Sequence, residues 1–155
     1  MRLLTRSQDD SPIYPLTSKL PVFKKFRTSL SELIARMITS SAAHGSLYSS
    51  ELMSALQTWV VAMSSSQLRS FRHTATVIAL EVETALCDVA AAVENEAEIV
   101  SRQREGERKR KAAAGRSGNK TKGATPREKE LESKAAEVRE RRAKLAEFLK
   151  EFVDG

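Results

Sequence analysis

The chain has 155 residues and a net charge of +6, which is enough length for one domain with a hydrophobic core. Its single cysteine, Cys87, excludes an intramolecular disulfide, is typical of a reducing compartment and is expected to be a small buried core residue. No apolar run has the length of a secretory signal or a membrane span, so we expect a soluble intracellular protein.

The positive charge is concentrated in one segment. Between Arg102 and Lys129, eleven basic and three acidic residues give +8, so the other 127 residues together carry −2. A concentrated basic block favours a polyanionic partner or a nuclear localisation signal over packing.

The N-terminal part of the chain predicts a poorly ordered segment followed by a helix. Prolines and polar residues break any period over residues 1–20. A helix is expected over about 21–44, because Pro21 suits a first helical turn and Gly45 suits a left-handed cap. Its predicted buried stripe contains Phe23, Phe26, Leu30, Leu33, Ile34, Met37 and Ile38.

A second helix is expected over about 50–63, with Ser49 as its cap. Trp59, the only tryptophan, is interpreted as a core anchor and not as a base-stacking platform, because the interleaved aromatic residues of a single-strand binder are missing. The predicted buried face contains Leu52, Leu56, Trp59, Val60 and Met63.

The longest apolar stripe of the chain predicts a third, central helix. Ser64 and Gln67 have the spacing of a capping box, and strong helix formers extend the helix over about 66–112, roughly 70 Å. Three successive helices with short connections and one-sided stripes resemble stacked helix pairs. The stripe consists of Leu68, Phe71, Ala75, Ile78, Val82, Ala85, Leu86, Val89 and Val93.

A fourth helix is expected to fold back on the third. A loop composition over about 114–125 ends in Thr125, Pro126 and Glu128, which suit the cap, first and third positions of a helix. Apolar residues at intervals of seven on both helices align when the chain reverses, so we expect an antiparallel helical hairpin over 86–153 that protrudes as an arm. The facing pairs are Leu86 with Phe152, Val93 with Leu145, Val100 with Val138, and Glu107 with Leu131.

No set of residues with catalytic or metal-binding spacing is found in the sequence. His44 and His73 each lack a second ligand at metal-binding spacing, and the serines at 64–66 lack the context of a nucleophile. Phosphate-loop and dinucleotide motifs are also missing. We therefore expect no enzyme, no metal site, no cofactor and no small-molecule substrate.

Two basic clusters are candidate nucleic-acid contacts. One lies at the N-terminal ends of two helices that are expected to pack together, and phosphate contact and a solvated face both remain open for it. It consists of the KKFR cluster (Lys24, Lys25 and Arg27) with Arg69 and Arg72. The other, the basic tip, surrounds its helix, which favours a localisation signal or nonspecific backbone contact. It consists of Arg108, Lys109, Arg110 and Lys111.

The chain contains three distinctive motifs, YPLT at 14–17, KKFR at 24–27 and QLRSFRHTATVIALEVETAL at 67–86. These motifs resemble the stromal antigen (stromalin, or STAG) subunit of cohesin. The resemblance covers about residues 14–155 and departs from the family at the tip, where AAAGRSGNKTKGATP replaces a more continuously helical segment. It implies an all-α, HEAT-like helical solenoid with its repeats over 21–92. By matching position, the KKFR cluster resembles a DNA-contacting patch of the family.

The resemblance also implies a function. We expect a fragment of the cohesin regulatory subunit that acts in sister chromatid cohesion and chromosome organisation, on chromosomes in the nucleus. Its implied partners are double-stranded DNA, through backbone contacts, and the kleisin subunit, through the full-length protein. The alternative is a helical protein-interaction module whose basic residues only aid solubility and nuclear targeting, and an exposed apolar groove would support it.

Overall fold

A computed structural model describes residues 14–116 and 125–154, with side chains throughout except at 114–116 and 153–154. The described residues form one 3-10 turn and five α-helices, with no strand among them, which confirms the all-α prediction. The contacts divide the chain into two units. The first unit comprises the residues up to Cys87 together with 148–155, and the second comprises Asp88–Glu147.

The first four helices follow one another with short connections. Gly45, between α1 and α2, has a φ of 76°, so the left-handed cap predicted there is confirmed. Glycine reaches this conformation because it has no Cβ. In chain order the elements are the 3-10 turn Pro21–Phe23, α1 Phe26–Ala43, α2 Ser46–Ser49, α3 Leu52–Ser64, α4 Arg69–Arg116 and α5 Pro126–Asp154.

The first predicted helix begins later than expected. Pro21 opens a 3-10 turn, in which the Lys24 N–H donates to the Pro21 carbonyl at 3.2 Å. Regular α-helix begins only at Phe26. The segment 14–20, expected to be poorly ordered, instead forms a turn in which the Tyr14 carbonyl accepts bonds from the N–H groups of Thr17 and Ser18. The rest of that expected segment, 1–13, lies outside the described residues.

The second predicted helix is divided in two, and its predicted cap is wrong. The Ser49 hydroxyl donates back to the Gly45 carbonyl at 3.3 Å, inside α2. Ser50, with a ψ of 164°, is extended and interrupts the helix, and its Oγ accepts a bond from the Leu52 N–H. α2 is one turn long and buries Leu47 completely.

The start of the central helix also differs from its predicted capping box. The Ser64 hydroxyl donates to the Val61 carbonyl at 2.8 Å and therefore belongs to the end of α3. Ser66, two residues later, accepts a bond from the Leu68 N–H at 3.2 Å. α4 accordingly begins at Arg69, and it continues past the predicted end at 112 to Arg116.

The core of the first unit contains four of the nine residues of the predicted stripe of α4, but not Trp59. Trp59 is 70% exposed, so the core-anchor prediction is wrong. Met53 and Val60, seven residues apart, face the core from α3, and Trp59 lies about 100° around the helix from Val60. The buried side chains of this unit are Ile34, Ile38, Leu47, Met53, Val60, Ala75, Val77, Val82, Ala85 and Leu86.

Four other predicted core positions are also exposed, and Phe26 is one of them, at 41%. Leu33 and Phe71 are 64% and 46% exposed. Cys87 is exposed, contrary to its predicted burial, because Ala85 and Leu86 take the core-facing side of α4 and the next position turns away from it.

In the second unit, α4 and α5 run antiparallel. Ion pairs join Glu94 to Arg142 at 2.7 Å, Glu96 to Arg141 at 3.1 Å, Arg104 to Glu132 at 3.4 Å, Glu107 to Arg127 at 3.1 Å and Lys111 to Glu128 at 2.9 Å. As the position rises from 94 to 107 along α4, the partner's position falls from 142 to 127 along α5. Between the helices lie the buried side chains Val89, Val93, Val100, Leu131, Val138 and Leu145. Of the predicted loop over 114–125, residues 117–124 lie outside the described residues.

Candidate nucleic-acid interface

The KKFR cluster lies where the 3-10 turn meets α1. Lys24 ends the turn, Lys25 directly precedes α1 and Arg27 is in its first turn, and all three are exposed. None of their side chains forms an ion pair or hydrogen bond with another residue in 14–116 or 125–154. The N-terminus of a helix is the positive end of its dipole, where cations are unfavourable. The cluster therefore raises the positive potential at this helix end.

No acidic side chain neutralises this region along the chain. From Tyr14 to Ser31 there is no Asp or Glu, and the first turn of α1 contains none. Lys19 is a fourth exposed cation in this stretch, and it too has no ion-pair partner among the described residues. Sequence analysis did not single it out, although the acid-free run around it was the available signal.

Arg69 and Arg72 lie in the first turn of α4, which also contains no acid. Arg69 is exposed and has no side-chain partner within the described part of the chain. Arg72 donates from Nη1 to the carbonyls of Ser66 and Gln67, at 2.9 and 3.1 Å, and so stabilises the connection before α4. Its charge remains unneutralised, because both acceptors are backbone carbonyls.

Side-chain hydrogen bonds join the segments that carry these two sets of cations. The Tyr14 hydroxyl lies 2.9 Å from His73 Nδ1 and 2.8 Å from Thr74 Oγ1, and it donates to the Ser70 carbonyl at 3.1 Å. Further along, the Ser31 hydroxyl of α1 donates to a carboxylate oxygen of Glu81 at 2.7 Å. Among the described residues, no hydrogen bond or ion pair joins the KKFR cluster directly to Arg69 or Arg72.

The basic tip differs from the KKFR cluster because most of its cations are paired. Lys109 pairs with Glu105 at 2.8 Å, Arg110 with Glu107 at 3.2 Å and Lys111 with Glu128 at 2.9 Å. The Lys109 hydrogen bond and the charges of Lys109 and Arg108 lower the pKa of Glu105, against a small opposing effect of desolvation. Arg108 itself forms no ion pair with a described residue.

Cations of the basic tip share one surface of α4 with a neighbouring arginine, Arg104. Arg104, Arg108 and Lys111, at spacings of four and three, line one open groove of about 860 Å³ on α4. A smaller cleft of about 150 Å³ shares Arg104 with this groove and adds two arginines of α5, Arg139 and Arg142. Sequence analysis did not single out these two arginines, although the predicted antiparallel alignment of the two helices was the available signal.

An apolar groove of about 210 Å³ lies in the first unit. It is lined mainly by side chains of α3 and α4, including Val61 and Leu80, which are 39% and 58% exposed. Gln57 closes one side by donating to the Glu151 carbonyl at 3.3 Å. The groove is the feature that the protein-interaction alternative requires.

Residues 14–116 and 125–154 contain neither a metal-binding cluster nor a membrane-spanning helix. No group of three His, Cys, Asp or Glu side chains in this part of the chain is placed to hold a metal ion. Among the helices described, none combines the length and apolar character that crossing a bilayer requires.

Comparisons with known proteins agree on one family. The STAG domain model matches residues 12–124, which is more than half of the chain. Cohesin subunit psc3 of Schizosaccharomyces pombe is 41% identical over 97 residues, covering 63% of this chain and 10% of that protein. Cohesin subunit SA-1 of Xenopus laevis is 36% identical over 109 residues, covering 70% and 8%.

Cohesin subunit scc-3 of Caenorhabditis elegans is 30% identical over 139 residues, covering 90% of this chain and 12% of that protein. The chain therefore spans about a tenth of the length of each of these relatives. The matched range includes the 3-10 turn, α1 to α4 and both sets of cations at helix N-termini. The chain belongs to the STAG domain family.

Proposed function

We propose that this chain is a DNA-contacting, non-enzymatic scaffold segment of a cohesin subunit. Its relatives in three organisms are cohesin subunits, which supports a role in sister chromatid cohesion and chromosome organisation, on chromosomes in the nucleus. In this proposal, residues 21–92 form HEAT-like repeats that continue in a longer protein. The kleisin subunit is bound by that longer protein.

The observation that carries the proposal is the unneutralised charge of the KKFR cluster. Its three cations are exposed at the positive end of α1, and the surrounding stretch 14–31 has no acid. Phosphate groups of a DNA backbone supply the missing negative charge, and each phosphate that is neutralised releases condensed counterions. The contact is with the backbone, because the cluster has neither paired base-reading side chains nor a row of stacking aromatics.

The basic tip is a secondary site in this proposal. Its lysines and one arginine already have carboxylate partners, which must be released or shared before a phosphate can bind. Exposed ion pairs are weak, so this competition reduces phosphate binding without preventing it. We therefore assign the main contact to the KKFR cluster and a nonspecific contribution to the tip.

Charge reversal at the two clusters tests the assignment. The Lys24→Glu/Lys25→Glu/Arg27→Glu variant is compared with Lys109→Glu/Arg110→Glu/Lys111→Glu, which changes the net charge by the same amount. Duplex DNA affinity is measured by fluorescence anisotropy over a range of salt concentrations. The slope of log K against log salt is negative, and its magnitude measures the number of phosphate contacts. We expect the first variant to reduce this magnitude by about 2.7, or about 0.9 per phosphate, and the second to reduce it less.

An unchanged slope in the KKFR variant would remove this cluster from the DNA interface. Equal losses in the two variants would mean that only net charge matters. Far-UV circular dichroism of both variants verifies that the helices are retained, which is expected because all six positions are exposed.

The apolar groove supports a second candidate function, docking of a partner helix. Exposed Leu80 and Val61 line it, and exposed Trp59 lies on the same helix as Val61. The test is Leu80→Glu, with Leu33→Glu as a control at an exposed leucine outside the groove. Loss of co-purification with the other cohesin subunits for Leu80→Glu alone, with DNA binding intact in the KKFR variant, would favour this candidate.

A further inference from the structure

The Tyr14 hydroxyl is the centre of a hydrogen-bond network that fastens the N-terminal segment to α4. Three polar groups of α4 lie within 3.1 Å of it: the Ser70 carbonyl, His73 Nδ1 and Thr74 Oγ1. The Tyr14 ring also contacts the His73 imidazole edge-on, with centroids 5.7 Å apart and planes inclined at 69°. A phenol has one proton and two acceptor lone pairs, so Tyr14 donates to one of these groups at a time and accepts from the side chains among the others. The Thr74 hydroxyl also donates to the Ser70 carbonyl at 2.8 Å, so this carbonyl and the two hydroxyls share two protons among three short contacts.

This network, the Tyr14 clasp, joins two stretches that contain only positive charges. Residues 14–31 carry Lys19 and the KKFR cluster and no acid. Residues 52–80 carry Arg69 and Arg72 and no acid, and these arginines directly precede the clasp positions Ser70 and His73. Like charges at close range repel, and a polyanion bound across both stretches removes the repulsion.

The clasp also limits how far Lys19 can lie from the arginines of α4. Lys19 is five positions after Tyr14 in the chain, a reach of at most about 18 Å. The reach is shorter here, because the N–H groups of Thr17 and Ser18 bond back to the Tyr14 carbonyl at 3.2 and 2.8 Å. One turn of a DNA duplex is about 34 Å long, so a single duplex can contact both stretches.

We propose that Tyr14 is a positioning residue for the DNA-contacting surface and that Lys19 is a further phosphate-binding residue, held in place by the Tyr14 clasp. The inference rests on the proposed function. Tyr14 touches no phosphate in this arrangement. It acts through Lys19, because it holds the turn that carries this lysine against the N-terminal turns of α4.

A double-mutant cycle in the full chain tests the inference. The variants are Tyr14→Phe, which removes only the hydroxyl, Lys19→Ala, and the two combined. Tyr48→Phe removes the other tyrosine hydroxyl of the chain and is the matched control. Duplex DNA affinity is measured by fluorescence anisotropy against salt, and amide hydrogen exchange reports the order of residues 14–20.

We expect each single variant to weaken DNA binding about three- to ten-fold. Lys19→Ala should also reduce the magnitude of the slope of log K against log salt by about 0.9. The combined variant is expected to bind no more weakly than the weaker single variant, since both changes remove the same contact. Exchange at Thr17 and Ser18 should be faster in Tyr14→Phe, and Tyr48→Phe should bind as the unmodified chain does. Thr74→Val, which removes one partner of the clasp, should shift affinity in the same direction as Tyr14→Phe.

Additive losses in the cycle would overturn the inference, because Tyr14 would then act independently of Lys19. Unmodified affinity and slope in Tyr14→Phe or Lys19→Ala would overturn it as well. If these variants bind normally while KKFR charge reversal lowers the slope, the proposed function stands and only the clasp inference fails. If KKFR charge reversal has no effect, the proposed function itself fails.

Discussion

Thr125 and Glu128 cap the N-terminus of α5 reciprocally. The Thr125 hydroxyl accepts a bond from the Glu128 N–H at 3.2 Å, and the Glu128 carboxylate accepts one from the Thr125 N–H at 2.9 Å. Lys111 of α4 donates to the same carboxylate at 2.9 Å. One glutamate therefore closes the helix end and joins it to the neighbouring helix.

Removal of the Thr125 hydroxyl is expected to weaken the start of α5. Thr125→Ala leaves the Glu128 N–H without its acceptor and should cost about 1 kcal/mol of stability. The measurement is urea unfolding followed by far-UV circular dichroism. Thr125→Ser, which retains the hydroxyl, is the matched control and should be close to the unmodified chain. Equal losses in the two variants would contradict the capping role.

The capping glutamate also predicts a pH dependence. The Lys111 hydrogen bond, followed by that of the Thr125 N–H, lowers the pKa of Glu128 below its ordinary 4.5. A carboxyl group with a lowered pKa in the folded state stabilises the fold above the unfolded value, and this stabilisation is lost as pH falls through the folded pKa. The stability difference between the unmodified chain and Glu128→Gln should therefore be constant from pH 7 to about 5 and decline below the ordinary pKa of 4.5, until it is lost as pH falls through the folded pKa.

Direct titration of the Glu128 carboxyl provides the control for this pH effect. Lys111→Ala removes the largest cause of the shift, so the carboxyl resonance in an NMR titration should move to higher pH. A Glu128 carboxyl that titrates at the same pH with and without Lys111 would show that the ion pair does not persist in solution.

Trp59 should contribute little to stability despite its size. Its side chain is 70% exposed, whereas Met53 on the same helix is 2% exposed. Trp59→Ser is expected to change the free energy of unfolding by less than about 1 kcal/mol, and Met53→Ala to cost about 2 to 5 kcal/mol. Because Trp59 is the only tryptophan, acrylamide quenching of its fluorescence measures the exposure directly. Weak quenching in the folded chain would contradict an exposed position.

Engineered disulfides test the register of the hairpin. Val93 and Leu145 are both buried in the second unit and have facing positions in the heptad alignment. With Cys87→Ser as background, Val93→Cys/Leu145→Cys should oxidise readily, since a disulfide needs Cβ atoms about 3.5–4.5 Å apart. Val93→Cys/Val138→Cys, displaced by seven residues or about 10 Å, should not. Preferential oxidation of the displaced pair would show that the register is different.

The exposed position of Cys87 predicts fast chemical labelling. Maleimide should react with the folded chain at a rate close to that of the unfolded chain, because the thiol is accessible. The comparison is Leu86→Cys in a Cys87→Ser background, where the native side chain is 0% exposed and labelling should require unfolding. Slow labelling of native Cys87 would place it in the core after all.

Sequence alone identified the features that depend on near neighbours or on a repeated spacing. The Thr125 to Glu128 capping box and the left-handed Gly45 were readable because each involves only the few residues around a helix end. The antiparallel alignment of α4 and α5 was readable because apolar residues recur every seven positions on both helices. A periodic pattern predicts which positions face a partner helix, but it does not predict which side-chain contacts stabilise the pair.

The tertiary structure alone decided which of these positions are covered and which charges are neutralised. Trp59 matches an apolar stripe and Cys87 is a residue type that is usually buried, but their exposure depends on which neighbour packs against α3 and α4. The Tyr14 clasp joins residues 59 positions apart, and the carboxylate partners of the basic tip lie partly on the opposite helix. Such contacts are set by the path of the whole chain, so no window of sequence contains them.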